Sequence, residues 1–161
     1  MARSEAKIKE GAAPFLDEGE EVLAAIVARP RGWTQANASG GSTEAAELVS
    51  GTLGQRKEEG NVDAAAEAGF QLASPMALAV TQRRLLSLGV ANPIGFGIGV
   101  KVTELVSAVP LSAVDSIEVK RLALGKIVAV TVHGVQFRLE VGAGANARGV
   151  ADALERAKAE A

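Results

Sequence analysis

The stretch KIVAVTVHGVQFRLEV, residues 126–141, decides the fold class. Apolar residues occupy every second position on either side of His133 and Gly134, which form a turn dipeptide. These apolar positions are Val128, Val130, Val132, Val135, Phe137, Leu139 and Val141. A period of two places alternate side chains on one face of a strand. The pattern therefore predicts a β-hairpin, with Gln136, Arg138 and Glu140 facing solvent.

Further strands are predicted upstream of this hairpin. MALAVTQRRLLSLGV, residues 76–90, reads as two strands connected at Thr81–Arg84, and a further strand is predicted over about 21–28. KVTELVSAV precedes Pro110, which lacks a donor for the sheet and marks an edge or a break. AVDSIEVKR, residues 113–121, completes a set of about seven strands, and we expect its residues Val114, Ile117 and Val119 to face inward.

The predicted strands are flanked by two predicted helices. At the C-terminus, residues 146–160 carry an apolar stripe of Val150, Ala153, Leu154 and Ala157 at helical spacing. Near the N-terminus, a short helix is predicted over 4–16. The fold class is therefore mainly β (α+β): a strongly bent antiparallel sheet or open barrel, closed by the C-terminal amphipathic helix.

Composition excludes several classes of function. The 161 residues include no cysteine and one histidine, which excludes disulfides, thiolate nucleophiles, cysteine-based zinc sites and multi-histidine metal sites. A net charge of −2 and 3% aromatic residues argue against a nucleic-acid partner. The longest uncharged run, residues 85–100, is too short for a membrane span, and no export signal is visible. We expect a cytoplasmic protein.

No catalytic, cofactor or metal site is expected. Gly95, Gly97 and Gly99 precede Lys101, but the spacing fits neither a Walker loop nor a dinucleotide-binding loop, so a flexible connection between strands is preferred. His133 lies in a predicted turn and is interpreted as solvent-exposed rather than as a catalytic base. The acidic residues lie in segments that are expected to be hydrated.

Residues 31–74 interrupt the strand pattern after the first strand. We expect a long, partly helical insertion, with a helix that begins near Ser42 or Thr43. Its apolar residues Leu48, Val49 and Leu53, together with Phe96, are the candidate interface. The expected organisation is a single domain over 1–161, with its core at 19–30 and 75–160 and the insertion at 31–74.

Five cations lie near predicted strand ends and form the candidate site for an anion or an acidic lipid headgroup: Arg83, Arg84, Lys120, Arg121 and Lys126. Arginine and lysine side chains bind phosphate and carboxylate groups through charge-assisted hydrogen bonds. Hydrated surface charge is the alternative interpretation of the same residues.

Three stretches together resemble the bacterial pleckstrin-homology-like (PH-like) domains: LAVTQRRLLSL, VPLSAVDSIEVKR and GKIVAVTVHGVQFRLEV, followed by the terminal helix. The resemblance covers residues 19–30 and 75–160 and departs from the family pattern at 31–74 and 91–100. It implies a seven-stranded, strongly bent barrel with a C-terminal helix at one end, in a family of binding or assembly modules of which some form rings. No catalytic residue carries over, because the matched positions are core and turn residues.

The leading functional hypothesis is a non-enzymatic intracellular module that binds a protein partner or forms a homo-oligomer. The first alternative is peripheral contact with a membrane or an anionic lipid through the five cations, helped by Phe96 or Trp33. The second alternative is an enzyme with an unrecognised site. No cofactor is expected under the leading hypothesis.

Overall fold

The computed structural model of the chain describes residues 3–30, 63–73, 76–91, 101–121, 125–142 and 146–160. Helix α1 (Arg3–Ala12) lies at the N-terminal end of the described residues, and helix α2 (Ala147–Glu160) lies at their C-terminal end. Between them lie the strands β1 (Val22–Pro30), β2 (Met76–Thr81), β3 (Arg84–Ala91), β4 (Lys101–Pro110), β5 (Val114–Arg121), β6 (Lys126–Val132) and β7 (Val135–Val141).

The seven strands form one antiparallel sheet in the order β4-β3-β2-β1-β7-β6-β5. Strand β1 pairs with β2 from Val22 to Ala28, whereas only Arg29 and Pro30 pair with β7. The sheet bends where β1 changes its partner. Strands β4 and β5 are its two edges within the described chain, so the sheet is open. The predicted seven-stranded sheet with a C-terminal helix is confirmed.

The predicted hairpin at 126–141 is confirmed in its register. Val130 lies opposite Phe137, and Val132 opposite Val135. His133 and Gly134 form the turn with φ angles of 49° and 78°. Positive φ at both central residues is the geometry that matches the twist of two-residue hairpins, and glycine adopts it without a steric penalty.

The inner face of the sheet is covered by α2 and by residues 63–73. The predicted apolar stripe of α2 is buried, and Lys158 Nζ donates a hydrogen bond to the carbonyl oxygen of Val114. Residues 63–67 are helical, and Phe70 stacks on Phe137 in the same core, with ring centroids 5.7 Å apart. The structure therefore adds residues 63–73, which the sequence placed in the insertion, to the core of the domain.

The outer face of the first four strands is covered by α1. Ile8 and Ala12 pack there against residues of β1 to β4, including Leu86, Leu88 and Val102. As a result, all six residues of β2 are buried, on both faces of the strand. The helix predicted over 4–16 divides into α1 and a 3-10 turn at Ala13–Phe15, since Pro14 cannot donate the helical hydrogen bond.

Several residues singled out in the sequence lie outside the described residues. These are Leu48, Val49 and Leu53 of the predicted helix, the glycines Gly95, Gly97 and Gly99, and the aromatic residues Trp33 and Phe96. The candidate interface therefore remains a prediction.

Candidate functional site

The sheet topology separates the five candidate cations into two groups. The start of β1 lies beside Thr81, next to the turn that carries Arg83 and Arg84, whereas its end lies beside Leu139 of β7. Lys120, Arg121 and Lys126 lie at that second end, where β5 stops and β6 begins. Lys120 lies in register with Arg29 through Ile127 and Glu140, and Arg29 is seven residues along β1 from Val22, so at ~3.3 Å per residue the two groups are roughly 23 Å apart along the sheet. The structure does not bring the five cations together.

Arg84 is held by an internal carboxylate. Its Nη2 donates to Glu20 Oε1 over 2.6 Å, and its Nε donates to Glu20 Oε2 over 3.0 Å. Thr81 Oγ1 donates to the same Oε2 over 2.7 Å, and the backbone N–H of Asp17 donates to Oε1 over 2.9 Å. Glu20 thus has partners for both oxygens, and Arg84 is engaged in a paired fork geometry that leaves its charge compensated.

The hydrogen-bond partners of Glu20 lower the pKa of its carboxyl group. The hydrogen bonds from the Arg84 guanidinium lower the pKa of the Glu20 carboxyl from 4.5 to about 2, against the opposing effect of burial. The same pairing raises the pKa of Arg84. A carboxylate with such partners stays ionised across the physiological range.

Gln82 ties the same turn to the segment that precedes β1. Its Nε2 donates to the carbonyl oxygen of Gly19 over 2.7 Å, and its Oε1 accepts from the N–H of Glu21 over 2.8 Å. Arg83 is exposed. The Thr-Gln-Arg-Arg turn therefore anchors residues 15–21 to the sheet, and of its two arginines Arg83 is exposed while Arg84 is mostly buried against Glu20.

The remaining three cations lie together, and we call Lys120, Arg121 and Lys126 the basic end. Lys120 and Arg121 are exposed, and Lys126 is half-buried. Arg121 is the direct cross-strand partner of Lys126. The exposed Lys120 and Arg121 side chains give this end of the sheet a positive surface, and positive charge attracts anionic groups. Lys101, at the start of β4, lies at the same end of the sheet on the other edge strand, and the sequence interpretation did not include it.

On the outer face of β5, β6 and β7, two cross-strand rows each carry one acidic and one basic residue. Glu118 and Arg138 lie on either side of Ala129, and in the next row Lys120 and Glu140 lie on either side of Ile127. Ala129 and Ile127 are 3% and 5% exposed although they face outward. The apolar stems of long charged side chains can cover such positions while their charged groups stay in water. Gln136 and Arg138 are exposed as predicted, and Glu140 is half-buried.

The two edge strands differ in regularity. Strand β4 has register shifts against β3 at two places, between Ser87 and Leu88 and between Gly89 and Val90, and it ends at Pro110. Strand β5 has a single shift at its start, between Val114 and Ser116. From Ser116 to Arg121 its pairing with β6 is continuous. The β5 edge is thus the straighter of the two.

His133 and the acidic side chains are the residues that the sequence offered for catalytic or metal chemistry. The side chain of His133 is exposed in the turn, and the backbone N–H of His133 donates to the carbonyl oxygen of Ala113 over 2.9 Å. Across residues 3–30, 63–73, 76–91, 101–121, 125–142 and 146–160, no three histidine, cysteine, aspartate or glutamate side chains group as a metal site.

None of the helices within the described ranges combines the length and the apolar character that crossing a bilayer requires.

Comparison with known proteins gives structural similarities only. No protein-family model matches the chain, and no curated protein sequence matches it significantly. Among solved structures, the chain is similar to a DUF1696 family protein with a pleckstrin-homology domain from Shewanella loihica PV-4, at 12% identity and a TM-score of 0.42 over 94% of this chain and 93% of that chain.

A second similar structure is a pleckstrin homology domain from Shewanella amazonensis SB2B, at 12% identity and a TM-score of 0.43 over 94% of this chain and 85% of that chain. Both descriptions name the kind of domain that the sequence motifs resemble. The fold described above rests on the strand order, the register and the closing helix of this chain, and no residue role is transferred from either protein.

Proposed function

We propose that this chain is a non-enzymatic binding module that associates with further copies of itself through the open edge of its sheet. The observation that carries the proposal is the regular edge of β5, which follows from the sheet order and from the continuous pairing of Ser116–Arg121 with β6. An edge strand presents backbone donors and acceptors to which another strand can add.

The contrast with β4 supports this proposal. Bulges and proline are among the devices by which proteins blunt edges against pairing, and β4 has two register shifts and a terminal Pro110. After its first residues, strand β5 has neither a bulge nor a proline. One edge is thus blunted while the other stays regular, as a module with a single pairing surface requires.

Sedimentation velocity of the full chain over a wide concentration range tests the proposal. We expect a reversible increase in mass with concentration. A species that stays monomeric at every concentration would overturn the self-association of this chain, whichever surface is considered.

The basic end favours a second candidate function, contact with an anionic surface. Its supporting observation is the exposure of the neighbouring cations Lys120 and Arg121 at the end of β5. Co-sedimentation with vesicles tests this candidate by comparing phosphatidylserine-containing vesicles with neutral phosphatidylcholine vesicles at low and high salt.

Arg83 at the opposite end of the sheet provides a matched control for this experiment. Arg121→Gln and Arg83→Gln each remove one exposed positive charge, so they change the net charge equally. We expect only Arg121→Gln to weaken binding to the anionic vesicles. Equal binding of wild type to anionic and neutral vesicles would count this function out.

A further inference from the structure

We propose that two copies of the chain join their β5 strands antiparallel about a two-fold axis at Val119, so that Glu118 of each copy lies opposite Lys120 of the other. This inference rests on the proposed self-association and names its partner and its register. The result is one continuous sheet across the dimer, in which β5 of the second copy lies next to β5 of the first.

The charge pattern of β5 is the first step of the argument. Its acidic residues, Asp115 and Glu118, precede its basic residues, Lys120 and Arg121, and all four are exposed. When such a strand pairs antiparallel with its own copy, the acidic half of one strand meets the basic half of the other. The β5 edge is therefore complementary to itself, which is the property that a two-fold interface requires.

The pleat of the sheet restricts the register. Glu118 and Lys120 lie in outer-face rows with Ala129 and Ile127, whereas Ile117 and Val119 lie opposite Val130 and Val128 of the inner core. In a two-fold antiparallel pair, residues that face the inner side of the sheet must lie opposite residues that also face the inner side. This holds only when the axis lies midway between the two copies of a single residue, which we call the centre of the pairing. Within the regular part of β5, Ser116–Arg121, the centres that keep at least three of its six residues paired are Ile117, Glu118, Val119 and Lys120.

Electrostatics and register distinguish these four centres. Centring on Glu118 or on Lys120 places two like charges directly opposite each other, which is unfavourable. Centring on Ile117 places Lys120 opposite Val114, across the register shift at the start of the strand. Centring on Val119 pairs Glu118 with Lys120 twice, places the two half-buried Val119 side chains opposite each other, and sets Arg121, at the end of the strand, opposite Ile117.

The other elements leave this register open. Helix α2 packs on the inner face of the sheet, and its Lys158 reaches the carbonyl of Val114, which lies before the regular stretch. Within the described chain, β6 is the strand that pairs with β5, so the far side of Ser116–Arg121 has no strand beside it.

A charge-swap series measured by sedimentation equilibrium tests the pairing. Glu118→Lys places two lysines opposite each other at both symmetric positions, and Lys120→Glu does the same with glutamates. We expect each single variant to raise the dimer Kd about tenfold or more, because two attractive pairs become repulsive. The double variant E118K/K120E recreates both pairs and should restore the wild-type Kd to within a few-fold.

Glu155→Lys on the exposed face of α2 is the matched control, since it changes the net charge as Glu118→Lys does. It should leave the dimer Kd unchanged. All of these positions are exposed, and thermal unfolding of each variant confirms that the monomer fold is retained.

Because the chain contains no cysteine, a single introduced cysteine can test the β5 register through a disulfide crosslink between two copies. Directly opposed Cβ atoms in an antiparallel pair lie ~4.5–5.5 Å apart, close to the spacing that a disulfide spans. Val119→Cys should therefore form a covalent dimer under mild oxidation, and Lys101→Cys on the β4 edge should not.

The outcomes separate this inference from the proposed function. Restored association in the double variant together with crosslinking at position 119 supports the β5 register. Association of the wild type that resists both single charge variants, or crosslinking at position 101 instead, overturns the register and leaves self-association standing. A wild type that is monomeric throughout overturns both.

Discussion

Gly11 of α1 lies directly against Val102 of β4: a Cβ atom built on Gly11 would be 2.8 Å from the Cβ of Val102 and 2.9 Å from its Cγ2. Alanine stabilises an exposed helix position by about 1 kcal/mol relative to glycine, whereas overpacking a filled contact costs about 1–3 kcal/mol. Both close contacts are to the stiff β-branched side chain of Val102, so we take the upper half of this cost range. We therefore expect Gly11→Ala to lower the free energy of unfolding by about 1–2 kcal/mol, measured by urea denaturation.

Two variants serve as controls for this prediction. Gly142 has no neighbouring atom within 4 Å of a built Cβ, so Gly142→Ala should leave stability nearly unchanged. Val102→Ala removes the contact to Cγ2 but keeps the nearer contact to Cβ, so in combination with Gly11→Ala it should recover only the part of the loss that Cγ2 causes. A Gly11→Ala variant as stable as the wild type would contradict the close contact.

The pairing of Glu20 with Arg84 predicts a large effect of its removal. The Glu20 side chain is fully buried, and that of Arg84 is 22% exposed. Breaking one partner of a buried pair costs about 3–5 kcal/mol, because the remaining charge loses its partner. We expect Glu20→Gln to lower stability by about 3 kcal/mol in chemical denaturation, and Glu21→Gln, at the exposed neighbouring position, to change it little.

The lowered pKa of Glu20 also predicts a pH dependence. Because its pKa falls from 4.5 to about 2 on folding, its contribution is fully present above about pH 4.5 and is lost as the pH falls toward 2. The stability difference between wild type and Glu20→Gln should therefore shrink between pH 5 and pH 2. Urea denaturation at several pH values measures this difference, and a difference that does not vary with pH would rule out the assigned pKa.

The stacked rings of Phe70 and Phe137 predict that residues 63–73 stabilise the domain. Both side chains are fully buried, so Phe70→Ala and Phe137→Ala should each cost about 3–5 kcal/mol. A double-mutant cycle should give a coupling of about 0.5–1.5 kcal/mol from the ring contact. If Phe70→Ala unfolds at the wild-type midpoint, the segment does not belong to the core.

The strands and α2 are predictable from local patterns, because burial on one face leaves a period in the sequence. The 126–141 hairpin and the stripe of α2 show this directly. The outer-face packing of α1 leaves a weaker signal, since β2 reads as the apolar run MALAV without polar alternation. Such a run indicates a strand buried on both faces, but it does not identify the covering element.

The candidate cation site was harder to predict, because it depends on which ends of the strands meet. Arg83 follows Thr81 at the start of β1, whereas Arg121 lies near the row that Arg29 forms with β7 at the end of β1, and this register is set by strand pairs that are distant in the sequence. The partner of Arg84 was missed because Glu20 lies 64 positions away within an acidic run that reads as hydrated. In the sequence, the signal for this contact is the pair of donors Thr81 and Arg84, which together favour a carboxylate partner.

The complete burial of β2 has a consequence for how this sequence can diverge. In β7, exposed Gln136 and Arg138 alternate with buried Phe137 and Leu139, so a saturation-mutagenesis profile of that strand should show tolerance at every second position. In β2 every side chain is buried, so each of its five apolar positions, Met76–Val80, should reject polar residues. A change of side-chain volume in β2 is tolerated mainly when a neighbouring residue changes volume in the opposite direction. Substitutions in β2 should therefore be correlated with substitutions in α1 and α2. Substitutions at the exposed positions of β7 should be independent of one another.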